Sequence, residues 1–398
     1  MVPHYRRPPS LVCYWREGAL VAENYATRAR TEISPFVLDV MTRLERWQPV
    51  DAIAEQLPRV SRDTLAGLLE SLAEHELLDV TDTPTDDPPA LVRAWQGWMP
   101  SAAHFHFATR DVKFTPRAIT IKRLVKRARR DPPPPALKPP MAGADDAGRV
   151  VLPAPSLTGA LPDLLLERRT WRRFGTRAVT REELSTLLGL TWRVQDWVDV
   201  EAWGRMALKT APSGGARHSI EAYVVARQVK GLKAGIYHYQ PASHELHLVR
   251  PKATAADIAA YLPRQDWYGA ASALVLMTCV FERVQWRYPF ARAYRTVLAE
   301  AGHHCQNFCL VATALGLAPF CTMALADTRI ERDLRIDGVT EAVLYAAGVG
   351  TRPGGVAWAP WPDTRRTPLR TPAHGTEAAH ATAAPGSRGK KEARKGSR

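Results

Sequence analysis

Between residues 131 and 140 the chain reads DPPPPALKPP, six prolines in ten positions. Proline fixes φ and lacks an amide proton, so neither a helix interior nor a sheet ladder can run through this stretch. An extended polyproline conformation suits it better. The 398-residue chain is therefore expected as two folded pieces separated by a linker. The pieces read as a small module over 1–90, a linker over 91–154, a main domain over 155–355 and a disordered basic tail over 356–398.

Within the small module, LVCYWREGALVAENY (11–25) reads as a hairpin turning at Glu17-Gly18. Three helical patterns follow: SPFVLDVMTRLERW, PVDAIAEQL and SRDTLAGLLESLAEHELLDV. In the third, Leu65, Leu68, Leu69 and Leu72 recur at helical spacing. Three short helices with strands suggest a winged-helix-like module, suited to packing, DNA binding or peptide binding.

The net charge of +14 raises the nucleic-acid reading, so its location matters. Residues 110–138 hold ten Lys/Arg against two Asp, and residues 372–398 hold six against two Glu. Most of the excess thus lies outside the expected folded pieces. The third helix also carries Asp63, Glu70, Glu74 and Glu76, a poor face to present to phosphates. Nucleic acid is disfavoured as a partner. MVPHYRRPPS at the start has no apolar core region, and the longest apolar run, ALVLMTCVF (273–281), is too short to span a bilayer. Five unevenly spaced cysteines offer no disulfide framework. These features lead us to expect a soluble cytoplasmic protein without a membrane partner.

In the main domain, helices are expected at 160–173, 181–190, 290–316 and 327–335. Strands are expected at 220–227, 273–281 and 341–349, with a hairpin over 235–249. TREE (180–183) has the spacing of a capping box. This mixed order implies an α+β fold rather than a doubly wound sheet. No GxGxxG follows a strand and no Walker A loop is present, which disfavours dinucleotide and triphosphate folds.

RRTWRRF (168–174) concentrates four arginines. On a continuous helix, Arg168 and Arg172 would extend the stripe of Leu161, Leu164 and Leu165 toward the core. Burying those charges requires an anion, either a phosphate gripped by two guanidinium forks or an internal carboxylate. APSGGARHS (211–219) is a loop whose missing side chains would let a ring or phosphate approach closely. In GHHCQNFC (302–309), Cys305 and Cys309 share a helix face, but no distant partner completes a ligand set. They read as buried core, and no metal is expected.

Taken together and in this order, these blocks resemble the SagB/ThcOx-type dehydrogenases, a branch of the flavin-dependent nitroreductases that oxidises azoline rings in ribosomally made peptides. The resemblance covers roughly 155–350, with a weaker echo in WMPSAAHFHFATRD (98–111). RRTWRRF is similar to the family's RRSxRxF motif, with Thr170 in place of serine. By this resemblance Arg168, Thr170 and Arg172 hold the phosphate and ribityl chain of FMN, with Arg169 beside them and Arg352 as an added phosphate contact. Pro212, Ser213 and Gly214 match a loop that reaches the flavin of the opposite subunit, which implies a homodimer. Gln265 matches a polar residue near the ring. Met323 and Ala324 match the segment whose backbone N–H faces flavin N5, although the family often has glycine where Ala324 stands. The small module then corresponds to a peptide clamp for a leader peptide, in company with a cyclodehydratase.

One position departs from the pattern. The azoline-oxidising branch has an adjacent Lys-Tyr pair where this chain has Arg287-Tyr288. Arginine is effectively never deprotonated and cannot serve as a general base. Three alternatives remain: Tyr288 carries the proton alone, Arg287 orients a substrate carbonyl, or the enzyme acts on another bond. Two other roles are also compatible with the sequence, a small-molecule nitroreductase-like oxidase and a scaffold subunit supporting a cyclodehydratase.

Overall fold

Two apolar runs, Ile220–Ala226 and Ala273–Val280, pair antiparallel at the centre of a six-stranded sheet. From edge to edge the order is Glu245–Pro251, Gly235–Gln240, Ile220–Ala226, Ala273–Val280, Glu341–Thr351 and Leu317–Thr322. Every neighbouring pair is antiparallel. The computed structural model describes residues 2–130, 159–200 and 204–354. The proline-rich stretch and the expected tail therefore fall outside the described residues.

The two central strands read as unbroken apolar runs because both faces of the sheet are covered. Alternate side chains serve alternate sides. Ile220, Ala222, Val224, Val275 and Met277 pack with Leu184, Leu187, Leu188, Val297 and Phe308. These last five belong to helices Arg181–Trp192 and Tyr294–Ala314. On the opposite face, Tyr223, Val225, Leu274 and Leu276 meet Ile258, Tyr261, Ile330 and Leu334, from helices Ala255–Tyr261 and Asp327–Leu334. The result is an α+β architecture with one sheet between two helical layers. The expected capping box is present: Thr180 accepts from the Glu183 amide, and the Glu183 carboxylate accepts from the Thr180 amide.

Residues 4–81 build a separate sheet-and-helix region. Strands Leu11–Arg16, Ala19–Asn24 and Ala29–Glu32 form one sheet. Glu17 and Gly18, both at positive φ, make the tight turn between the first two, as a two-residue hairpin requires. Helices Pro35–Arg43, Val50–Gln56 and Arg62–Glu74 bury Met41, Leu44, Ile53, Leu65 and Leu69 in a core of their own.

Two expectations need correction. The segment read as the start of a linker forms helices Ala90–Trp95 and Ser101–Ala108. It inserts Trp95 and Trp98, both fully buried, into the main core. Trp95 lies 4.6 Å from Phe281 and Trp98 5.7 Å from Tyr294, centroid to centroid. Asp111 then accepts from the Thr328 amide near the start of helix Asp327–Leu334. Isolated large apolar anchors leave no periodic trace in a sequence, so the linker reading missed them.

The second correction concerns the arginine cluster. The helix expected at 160–173 stops at Glu167, and Arg168 adopts φ −51°, ψ 122°. The chain instead runs beside the edge strand, where the Trp171 amide donates to the Pro319 carbonyl at 2.8 Å. Leu161, Leu165 and Leu166 are exposed rather than core-facing. The inward helical stripe does not exist, because extended backbone bonds to the sheet replace it. Among the described residues, no helix is long and apolar enough to cross a membrane.

Candidate functional site

The residues singled out in the sequence gather in two groups, one along the edge strand that runs back from the C-terminal end of helix Tyr294–Ala314 and one beside its N-terminal half. Beside the edge strand lie the arginines. Arg168, Arg169, Thr170 and Arg172 are half-buried. Arg169 donates to the Leu166 and Arg168 carbonyls, which folds its side chain back onto its own segment. Arg352 donates to the Leu317 carbonyl at 3.0 Å and the Thr313 carbonyl at 3.4 Å. Its guanidinium lies 5.6 Å from the centre of the Trp171 ring. Arg352 therefore ties the arginine segment to both the end of the long helix and the edge strand.

That strand leads to Met323, which is exposed, and Ala324. The Ala324 amide donates to Thr322 Oγ1 at 3.1 Å, and its carbonyl accepts from Gln265 at 3.4 Å. Gln265 opens the short turn Asp266–Ala270, whose Tyr268 stacks on Phe320 at 3.7 Å. Gln265, Met323, Ala324 and the arginine segment thus share one edge of the sheet.

The second group sits beside the N-terminal half of the helix. Ser213 Oγ donates to Glu300 at 2.7 Å and accepts from the His218 amide at 2.8 Å. Glu300 is buried and also accepts from Ser219 Oγ and the Ile220 amide, both at 3.2 Å. Burial raises its pKa, against the pull of these donors. His303 donates to the Pro212 carbonyl at 3.0 Å. Serine and the two flanking carbonyl and amide groups are thus spent on fixing the Pro212–Gly214 loop in place. Sequence reasoning missed Glu300 and His303, because neither stands near the loop in the chain.

The fixed loop presses against the Arg287-Tyr288 pair. A Cβ on Gly214 would stand 2.2 Å from Thr296 Cγ2, and one on Gly215 would stand 2.5 Å from Arg287 Cδ and 2.9 Å from the Tyr288 hydroxyl. Gly215 also has φ +61°, a conformation that favours glycine. Arg287 Nε donates to the Tyr288 hydroxyl at 3.0 Å, and Trp98 Nε1 donates to the Tyr288 carbonyl at 3.1 Å. Tyr288 opens on a cavity of about 480 Å³ that Gly214, Phe290, Arg292, Arg295 and Thr296 also line. Behind the loop lies a second cavity, of about 600 Å³, lined in part by Lys209, Arg217, His218, Glu221, Arg283 and Trp286. Burial holds Lys209 below the usual lysine range and lowers His218 to about 4.

Thr296, against Gly214, and Thr313, bound by Arg352, are separated by 17 residues of continuous helix, about 25 Å at 1.5 Å per residue.

The nitroreductase family matches residues 165–351. Over 176 residues (44% of this chain), the chain is 31% identical to the nitroreductase-family protein MJ1384 of Methanocaldococcus jannaschii, across 84% of its length. The trifolitoxin-processing protein TfxB of Rhizobium leguminosarum bv. trifolii is 33% identical over 168 residues, which are 41% of this chain but only 45% of TfxB. The trifolitoxin operon protein TfxC of the same organism is 24% identical over 331 residues, covering 77% of this chain and 92% of TfxC. Given an α+β domain with this sheet order, a family match across that domain and a relative aligned over most of its length, the chain belongs to the nitroreductase family.

Proposed function

We propose that this protein is an FMN-dependent dehydrogenase that converts a thiazoline or oxazoline in a ribosomally made peptide to the azole. The observation that carries the reading is the packing of the Gly214-Gly215 turn against Arg287 and Tyr288. Gly214, the Tyr288 phenol and the Arg292 and Arg295 guanidiniums line one open cavity, as a flat cofactor with a substrate above it requires.

The donor set fits FMN. Arg168 and Arg172 would hold the phosphate, with Thr170 and Arg169 beside them and Arg352 bracing the segment. Gln265, Met323 and Ala324 would border the ring. Pro212, Ser213 and Gly214 would reach it from a second copy, because Gly214 packs on Thr296 and Arg352 binds Thr313, near opposite ends of one helix. This implies an isologous homodimer with two shared sites, and the exposed Leu161, Leu165 and Leu166 suit burial against that copy. When bound, FMN supplies the hydride acceptor for the oxidation.

Tyr288, acting as the phenolate, takes up the proton lost from the substrate carbon and becomes the neutral phenol. Arg287 cannot do so, but its Nε–H on the phenol oxygen fixes the ring. It is a positioning residue. Residues 4–81 hold the leader peptide by adding its strand to an exposed sheet edge, and a cyclodehydratase supplies the substrate ring. The TfxC alignment, which is longer than the family domain, supports a shared role for residues outside that domain.

The test is direct. Purified protein should be yellow, release FMN on denaturation and be dimeric by light scattering. Under anaerobic conditions, a heterocyclised peptide should bleach the flavin in a single turnover. Protein that remains colourless after FMN addition would sink the cofactor assignment. Holoenzyme that no azoline-bearing peptide bleaches would sink the substrate assignment.

A further inference from the structure

Three cysteines converge where the long helix crosses the edge strand. Cys305 and Cys309 lie one turn apart on the buried face of helix Tyr294–Ala314, and Cys321 comes from strand Leu317–Thr322. Their Sγ atoms all lie within 4.8 Å of one another, and all three are free thiols. Helix periodicity alone pairs only Cys305 with Cys309. The turn at Leu315-Gly316 reverses the chain and delivers the third.

We propose that Cys305, Cys309 and Cys321 form a three-thiolate site for a thiophilic d10 metal ion, Cu(I) or Zn(II). Softness argues for such an ion, since thiolates select Cu(I) and Zn(II) over hard cations. Size agrees as well. Three sulfurs about 2.3 Å from one ion in their plane stand about 4.0 Å apart. The observed arrangement closes onto that geometry with side-chain shifts of less than about an ångström.

The Tyr345 hydroxyl stands beside Cys305 and Cys321 and supplies a further donor. A trigonal Cu(I) needs only the sulfurs, whereas Zn(II) would recruit this oxygen as a fourth ligand. Binding forms three metal–sulfur bonds and releases the thiol protons to solvent, so affinity rises with pH. Bound metal would pin the long helix to the strand that continues into Met323 and Ala324. The site makes no use of FMN, so it stands or falls independently of the dehydrogenase reading.

The test equilibrates full-length holoprotein, anaerobically and with a competing chelator, with Cu(I) in one arm and Zn(II) in the other. One ion should be retained per chain after gel filtration, by elemental analysis. Cys321→Ser and Cys309→Ser should each weaken retention about 100-fold or more, because a ligand is lost, while Cys13→Ser should leave it unchanged. Retention of Cu(I) identifies the trigonal site. Retention of Zn(II) that Tyr345→Phe abolishes identifies the four-coordinate one. The proposal is overturned if wild type retains neither ion above the Cys321→Ser level. A count of three thiols in the denatured, unreduced protein, against five in its sequence, would mean a disulfide and also overturns it.

Discussion

The two ends of helix Tyr294–Ala314 are built in different ways. At the N-terminal end, a buried carboxylate organises the loop: Glu300 gathers Ser213, Ser219 and the Ile220 amide. The glycines there have no room for a Cβ. At the C-terminal end, Arg352 is held by the Leu317 and Thr313 carbonyls and Arg169 donates to the Leu166 and Arg168 carbonyls. One end is thus rigid and glycine-lined, and the other is rich in arginine. If both serve one flavin across a dimer, mutations at the first end should change turnover and mutations at the second should change cofactor retention.

The largest effect tests the first half of that division. Tyr288→Phe should slow single-turnover bleaching by about 10²–10⁴-fold, the range for a missing acid–base group, while FMN stays bound. Arg287→Lys should retain activity, because an ammonium can still donate to the phenol oxygen. If Tyr288→Phe bleaches as fast as wild type, the pair has no proton role and the rigid end is merely structural.

The second half predicts a smaller, separable effect. Arg168→Ala and Arg172→Ala each remove a charged hydrogen-bond partner, which costs about 1.5–3 kcal/mol. FMN affinity should fall tenfold or more, measured by flavin fluorescence on dilution, with turnover near wild type once FMN is saturating. Equal loss of turnover at saturating FMN would erase the contrast between the two ends.

How much of this was legible beforehand differed between the two ends for physical reasons. The central strands, the capping box at Thr180 and the hairpin turn at Glu17-Gly18 follow from local sequence, and the structure contains them. The arginines were visible as a cluster, but their helix was not real. Apolar periodicity at Leu161, Leu164 and Leu165 signals a helix without saying where it stops, and the stop is set by pairing with Pro319. The burial of Trp95 and Trp98 is not legible in the proline-flanked stretch that holds them, because burial of single large residues leaves no periodic trace. Glu300 and Cys321 were invisible for another reason. Their partners lie far away in sequence or across a chain reversal, and no one-dimensional spacing encodes that.

The smallest predicted effect asks whether the rigid end is held by charge. Ser213 Oγ donates to a Glu300 carboxylate whose folded-state pKa is raised, chiefly by burial. A carboxyl with a raised folded pKa contributes its full stability below its unfolded value, and that contribution fades as pH rises through the folded one. Above that window the ionised group depends on its donors. Ser213→Ala removes one donor, so it should destabilise by about 1–3 kcal/mol, the cost of an unsatisfied buried acceptor. At a pH below the ordinary carboxyl range the loss should shrink, because a protonated carboxyl needs fewer donors, and at a pH well above it the loss should grow. Denaturant unfolding at the two pH values measures the difference. An equal loss at both would mean that the hydroxyl acts through packing or through the His218 amide, and the contrast between a charge-held end and a carbonyl-held end would fail.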